Sequence, residues 1–107
     1  MKNFTDMMKQ AKQMQAQLEL AQKEIERLVL EGSSKNGLVK LKMDGRHQVK
    51  ALSIDPTLLT PDQSKNLETL IIDAVNDAVN NIEQASKERM KNIASGLTLP
   101  PDLSSLN

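Results

Sequence analysis

Residues Val39 to Lys50 read VKLKMDGRHQVK, and how this stretch folds decides how the rest of the chain folds. Val39, Leu41 and Met43 alternate with Lys40, Lys42 and Asp44, the period of a strand with one packed face and one solvated face. Asp44-Gly45 then reads as a tight hairpin turn, because this dipeptide readily takes positive φ angles, and Asn36-Gly37 is the same signal upstream. Together they predict a three-stranded antiparallel meander over Leu28–Ser34, Leu38–Met43 and Gln48–Asp55. In the third strand Val49 and Ala51 have opposite parity to Leu52 and Ile54. Either a bulge near Lys50 and Ala51 restores one apolar face, or a partner covers the strand on both sides.

Upstream of the meander, apolar residues fall at Phe4, Met7, Ala11, Met14, Leu18, Ala21, Ile25 and Leu28, in alternating steps of three and four. That is a heptad seam, and it predicts a partner-seeking helix of about 37 Å at the usual rise. With Phe4 at position a, Lys2, Lys9 and Lys23 fall at f and Lys12 at b, away from the seam, while Gln10, Gln13, Gln15, Gln17 and Gln22 flank it. Phe4, Met7, Ala11, Met14 and Leu18 are the expected dimer interface.

Downstream, Pro56 ends the third strand, and Thr60-Pro61-Asp62-Gln63 reads as a capping box with proline at the first helical position. Leu67, Leu70, Ile71, Ala74, Val75, Ala78, Val79, Ile82, Ala85, Met90 and Ile93 carry a second helix to a stop at Ser95-Gly96. Such a helix spans about 50 Å, against about 20 Å for a six-residue strand, so its far end must overhang the sheet or meet another subunit. Residues 97–107 are expected to be an extended tail, with Pro100-Pro101 excluding helix. The expected fold class is α+β in the order α-β-β-β-α, one domain over residues 1–107.

Composition narrows the function. Phe4 is the only aromatic residue, so the core must be aliphatic, and a 107-residue chain of this kind gains from forming a homodimer. There is no cysteine, which removes disulfides and thiolate metal sites and suits a reducing compartment. No stretch approaches a membrane span, and a cytoplasmic protein with no membrane partner is expected. The net charge is zero but segregated: Lys35, Lys40, Lys42, Arg46 and Lys50 face only Asp44 within residues 35–50, whereas residues 51–85 hold six acids and Lys65.

Catalysis is poorly served. His47 is the single histidine and has no partner ligand, and Asp73 and Asp77, four apart on a helix, read as a solvated face rather than an acid/base pair. No phosphate loop, dinucleotide fingerprint or nucleophile elbow is present. No catalytic residue, metal, cofactor or small-molecule substrate is expected. The basic residues are the stronger signal: Lys2, Lys9 and Lys12 on the first helix, Lys87, Arg89 and Lys91 on the second, and Lys40, Lys42, Arg46 and Lys50 on the sheet are all expected to be exposed. Doubled by a twofold axis, such an array suits the regular phosphates of double-stranded DNA. Single strands fit less well because stacking platforms are missing, and three arginines offer little base readout. A coiled-coil adaptor for another protein is the alternative, carried by the methionine-rich seam and its glutamine flanks.

Four stretches carry a resemblance: MKQAKQMQ at Met8–Gln15, GLVKLKMDGRHQVKALSIDPTLL at Gly37–Leu59, AVNDA at Ala74–Ala78 and SGLTLPP at Ser95–Pro101. In order and spacing they resemble the YbaB/EbfC family of bacterial nucleoid-associated proteins, nearly end to end. The resemblance implies an α-β-β-β-α subunit in a tight homodimer whose helices project like tweezer arms. It also implies DNA binding in the nucleoid, effects on nucleoid organisation or gene expression, and no metal or cofactor. It places Lys9 and Lys12 among the DNA contacts. Asp102 departs from the glycine common in the family after the proline pair.

Overall fold

The computed structural model describes residues 4–98. Helix α1 spans Phe4–Arg27, strands β1, β2 and β3 span Val29–Ser33, Val39–Asp44 and Val49–Ile54, and helix α2 spans Ser64–Thr98. The strands form one antiparallel sheet in the order β1-β2-β3, which is the expected meander. Lys2 and residues 99–107 of the expected tail lie outside the described residues. No helix among the described residues is long and apolar enough to cross a membrane.

One face of the sheet packs against α2. Val39, Leu41 and Met43 of β2 are buried with Leu58 and with Leu70, Ala74, Ala78 and Ile82 of α2. The closest approach is at Gly32 of β1. A Cβ built there would lie 2.3 Å from the Ala74 carbonyl oxygen and 2.5 Å from the Ala78 Cβ. Glycine on the strand and two alanines on the helix, both fully buried, let the two backbones meet. The same crossing covers the outer edge of β1: the Ser33 amide donates to the Asp77 carboxylate at 2.9 Å, and the Asn81 side-chain amide donates to the Glu31 carbonyl at 2.9 Å. Backbone groups that would otherwise template another strand are thereby satisfied.

Both hairpins depart from the turns expected of them. Positive φ occurs at Gly37 (75°) and His47 (64°), not at Asn36 or Gly45. Each connection is longer than two residues and closes with an i to i+3 bond, Gly37 N–H to Ser34 O at 2.9 Å and His47 N–H to Asp44 O at 3.0 Å. The residue that ends each such turn takes the left-handed conformation. Gly45 is needed for a different reason: a Cβ there would lie 1.7 Å from the Ile25 carbonyl oxygen, so the β2–β3 turn abuts the end of α1. The third strand does carry the bulge: Lys42 pairs with Ala51 and Met43 with Val49, leaving Lys50 as the extra residue. Val49, Leu52 and Ile54 are thereby opposite Met43, Leu41 and Val39.

Two helix boundaries move. Thr60 makes no side-chain cap; a single 3-10 turn, Pro61–Gln63, closes through Gln63 N–H to Thr60 O at 3.0 Å before α2 begins at Ser64. Gly96 does not stop α2, which runs to Thr98. An interior glycine costs a helix only about 1 kcal/mol, too little to end it by itself. At about 52 Å for 35 residues, α2 overhangs the sheet, and its outer half runs beside α1. Ala21 and Ile25 of the seam are buried, Ala21 beside Arg89 and Ile93, and Glu24 pairs with Arg89.

Replacing Gly32 by alanine is expected to cost about 1–3 kcal/mol by overpacking the β1–α2 crossing. Urea unfolding would show a lower midpoint at unchanged slope. A neutral substitution would mean that the two backbones have room to part.

Candidate nucleic-acid interface

The expected cations fall into groups set by the elements that carry them. On α1, Lys9 and Lys12 are exposed and turned away from the seam. On α2, Lys87 and Lys91 are one helical turn apart and both exposed. Arg89 is turned the other way, towards α1, where its guanidinium meets the Glu24 carboxylate at 2.5 Å. The trio expected on α2 is thus split, because residues two apart on a helix cannot share a face.

On the open face of the sheet, Lys40 and Lys42 stand exposed between β1 and β3, with Lys42 opposite Glu31 and Ala51 and Lys40 opposite Ser33 and Ser53. Glu31, Lys40, Lys42, Ala51 and Ser53 line a shallow, open hollow of about 270 Å³. Arg46 is exposed on the adjoining turn. Lys50, the bulged residue, reaches back to Asp44 at 3.5 Å. Among the described residues, ion pairs hold Lys50, Lys65 and Arg89, whereas Lys9, Lys12, Lys40, Lys42, Arg46, Lys87 and Lys91 are exposed without one.

Some of the carboxylates on the same elements are engaged in structure. Asp44 is buried and accepts the Arg46 and Gln48 amides at 2.9 and 3.0 Å. The Gln48 amide, then the Arg46 amide and the Lys50 ammonium, hold its carboxyl below the ordinary value of 3.8 against the opposing effect of burial. Asp55 is held low by the hydroxyl and amide of Thr57, which it caps at the start of the 3-10 turn Pro56–Leu58. Asp77 covers the β1 edge, so one of the two helical acids considered for acid/base chemistry has a structural occupation. His47 contributes its backbone conformation to the β2–β3 turn, and its side chain is exposed.

Among the described residues, two apolar surfaces are open. The upper seam is bare: Phe4, Met7, Ala11 and Leu18 are exposed and Met14 is half-buried. The second was not foreseen. Helix α2 lies over β1 and β2 and leaves β3 to one side, so Val49 and Leu52 are half-exposed, with Leu59 and Ile72 also open. Asp77 and Asn81 mark the flank of α2 at the β1 edge; Ile71, Val75 and Val79 lie on the opposite flank, towards β3, and are only partly buried.

A model of the YbaB/EbfC DNA-binding family matches residues 1–97. A nucleoid-associated protein of Nitrobacter hamburgensis is 43% identical over 103 residues, spanning 96% of this chain and 97% of that one. One from Legionella pneumophila strain Corby is 46% identical over 101 residues, spanning 94% and 89%. The crystal structure of the uncharacterized protein HP0035 from Helicobacter pylori shares the fold, with a TM-score of 0.70 at 18% identity over 87% of this chain and 98% of that one.

Asp44 ties the turn, the bulge and Lys50 together, and its lowered pKa fixes how that tie depends on pH. Its contribution is present above the ordinary carboxylate value and is lost as pH falls through the lowered one. Asp44→Ala should therefore melt well below the native protein at neutral pH, with the gap closing as the pH drops below about 3.8. Thermal melts that kept a constant gap would show that the ionised carboxylate is not the source.

Proposed function

The chain belongs to the YbaB/EbfC DNA-binding family, and from that membership we propose that it is a nucleoid-associated protein that binds double-stranded DNA as a homodimer. In this reading residues 1–107 form a single DNA-binding unit in the cytoplasm, at the nucleoid, where it alters DNA conformation and thereby gene expression. Binding is through the phosphate backbone with little sequence preference, and no catalysis or cofactor is involved. The observation that carries the proposal is the set of exposed lysines and Arg46 that no described carboxylate pairs. Lys9 and Lys12 on α1 and Lys87 and Lys91 on α2 supply the principal contacts. Lys40, Lys42 and Arg46 extend them across the sheet, and Lys2, outside the described residues, is a further contact in this reading. Arg89 joins them only by leaving Glu24.

In place of the α1 seam expected from the sequence, this reading puts the homodimer contact on the face beside β3. Val49, Leu52, Leu59 and Ile72 are between 50% and 62% exposed in a chain with few large apolar residues to spare. An open apolar face of that kind marks an association site. A second copy placed there leaves the lysines of α1 and of the open sheet face outward.

Duplex affinity should fall with salt, with a log-log slope of about −0.9 per phosphate neutralised. Charge reversal of Lys9 and Lys12 should weaken binding about equally on all sequences, lower that slope by about two per substituted position because the homodimer carries each lysine twice, and leave the oligomer intact. No binding at low salt would overturn the DNA reading.

Placing a carboxylate in the β3 face with Leu52→Glu should convert the dimer to monomers in sedimentation. A Leu52→Glu protein that stayed dimeric would move the primary contact elsewhere.

A further inference from the structure

Two separate apolar surfaces among the described residues call for two occupants. The seam on α1 is a single stripe in phase from Phe4 to Ile25, yet its two halves differ: Ala21 and Ile25 are buried, whereas Phe4 is 74% and Met7 62% exposed. The division lies where α2 runs out. Ile93 shares a groove with Gln17 and Leu20, and α2 ends at Thr98, about 7 Å further along the arm. The first two to three turns of α1 project past that point.

We propose that this bare upper seam, Phe4, Met7, Ala11, Met14 and Leu18, docks against the same seam of another copy, joining one homodimer to the next. The inference rests on the homodimer through the β3 face. Three observations favour a second copy as the occupant. The stripe keeps the three-four alternation that lets two identical helices interlock, and a helix with such a stripe complements itself about a twofold axis. The flanking e and g positions along the bare stretch are Met8, Gln10, Gln15 and Gln17, so two like helices meet without like-charge repulsion. The lysines at Lys9 and Lys12 point away from the seam and stay free for phosphates.

The contact is small, five side chains from each copy, and belongs with weak, reversible interfaces. An isolated helical pair of this length is marginal in water, so the joint closes when dimers are concentrated, as they are along one DNA or between two. Two twofold contacts per protomer generate either a closed four-chain particle or a longer row of dimers. A dimer whose arms pair in this way links DNA segments as well as binding them.

The chain contains no cysteine, so single cysteines report the contact cleanly. Ala11→Cys puts a thiol in the seam, and Ala16→Cys puts one on the opposite face, at position f, as the control. Each full-length protein, with and without random-sequence duplex DNA, is treated with a short bis-maleimide. It is then sized both natively and after denaturation. The expected result for Ala11→Cys is a two-chain band on a denaturing gel together with a native particle of four or more chains, at least twice the native mass of the Ala16→Cys control.

A two-chain band with an unchanged two-chain native mass would overturn the proposal, because the seam would then lie inside the primary dimer. No cross-linking beyond the control would also overturn it, as it would if residues 99–107 of the same chain or DNA itself occupied the stripe. Failure of the β3 homodimer is read separately, from the sedimentation of Leu52→Glu.

Discussion

The backbone of β1 lies against the backbone of α2 at Gly32, and the remaining arrangement follows from that contact. Ala74 and Ala78 present no side chain beyond a methyl group, so the helix comes close enough for Asp77 and Asn81 to reach the main chain of the edge strand. Drawn to the β1 side, α2 cannot also cover β3. The sheet is left with one satisfied edge and one bare apolar flank. The same placement carries the outer half of α2 off the sheet to meet the end of α1, which is itself seated on the β2–β3 turn at Gly45. The AVNDA stretch at Ala74–Ala78 therefore has a packing reason for four of its features: two alanines that permit approach, Val75 on the β3 flank, and Asp77 that fastens the edge.

Charge in this protein is sorted by use. Asp44, Asp55 and Asp77 accept backbone amides, and Glu24 holds Arg89. Asp44 and Glu24 lie beside the cations Lys50 and Arg89, and Asp55 and Asp77 are held by neutral donors of Thr57 and Ser33. The exposed lysines on α1, α2 and the open sheet face have no such partners among the described residues. A net charge of zero is thus compatible with a surface that attracts phosphates, because what a ligand meets is the local field and not the sum. Salt within a Debye length would weaken that field, which is how binding through phosphates behaves.

The order of elements was legible because each rests on a local pattern: the three-four spacing of α1, the alternation in β2, the proline at Pro61 and the apolar stripe of α2. The broken parity of β3 left two remedies open, a bulge or a partner covering both sides, and the bulge at Lys50 is the one the strand adopts. What could not be read depends on contacts between distant residues. Asn36-Gly37 and Asp44-Gly45 predict turns but not their type, and the need for glycine at position 45 comes from Ile25, on another element. Arg89 counts as a free cation in the sequence, yet it is one residue past Glu88 on a helix whose rotation turns it to Glu24. The bare flank beside β3 was hidden for the same reason, as it exists only because α2 is pulled to the other side.

The composition of the two helices reflects how each is supported. Between Asp6 and Glu24 there is no glycine, no proline and no β-branched residue, only Met, Lys, Gln, Ala, Leu, Glu and Asp. Apart from the aspartate these are residues that lose little on entering a helix. That choice fits a segment whose upper half has no sheet beneath it, so that intrinsic propensity must supply what packing does not. In α2 the pattern reverses. Ile71, Ile72, Val75, Val79 and Ile82 are β-branched and intrinsically poorer helix formers, and they occur where the helix lies over or beside the sheet. There tertiary contact outweighs propensity, and stiff side chains suit a packed surface. The protein therefore places adaptable, helix-favouring residues on the arm that must stand out to meet a ligand or another arm, and rigid ones on the part that holds the subunit together.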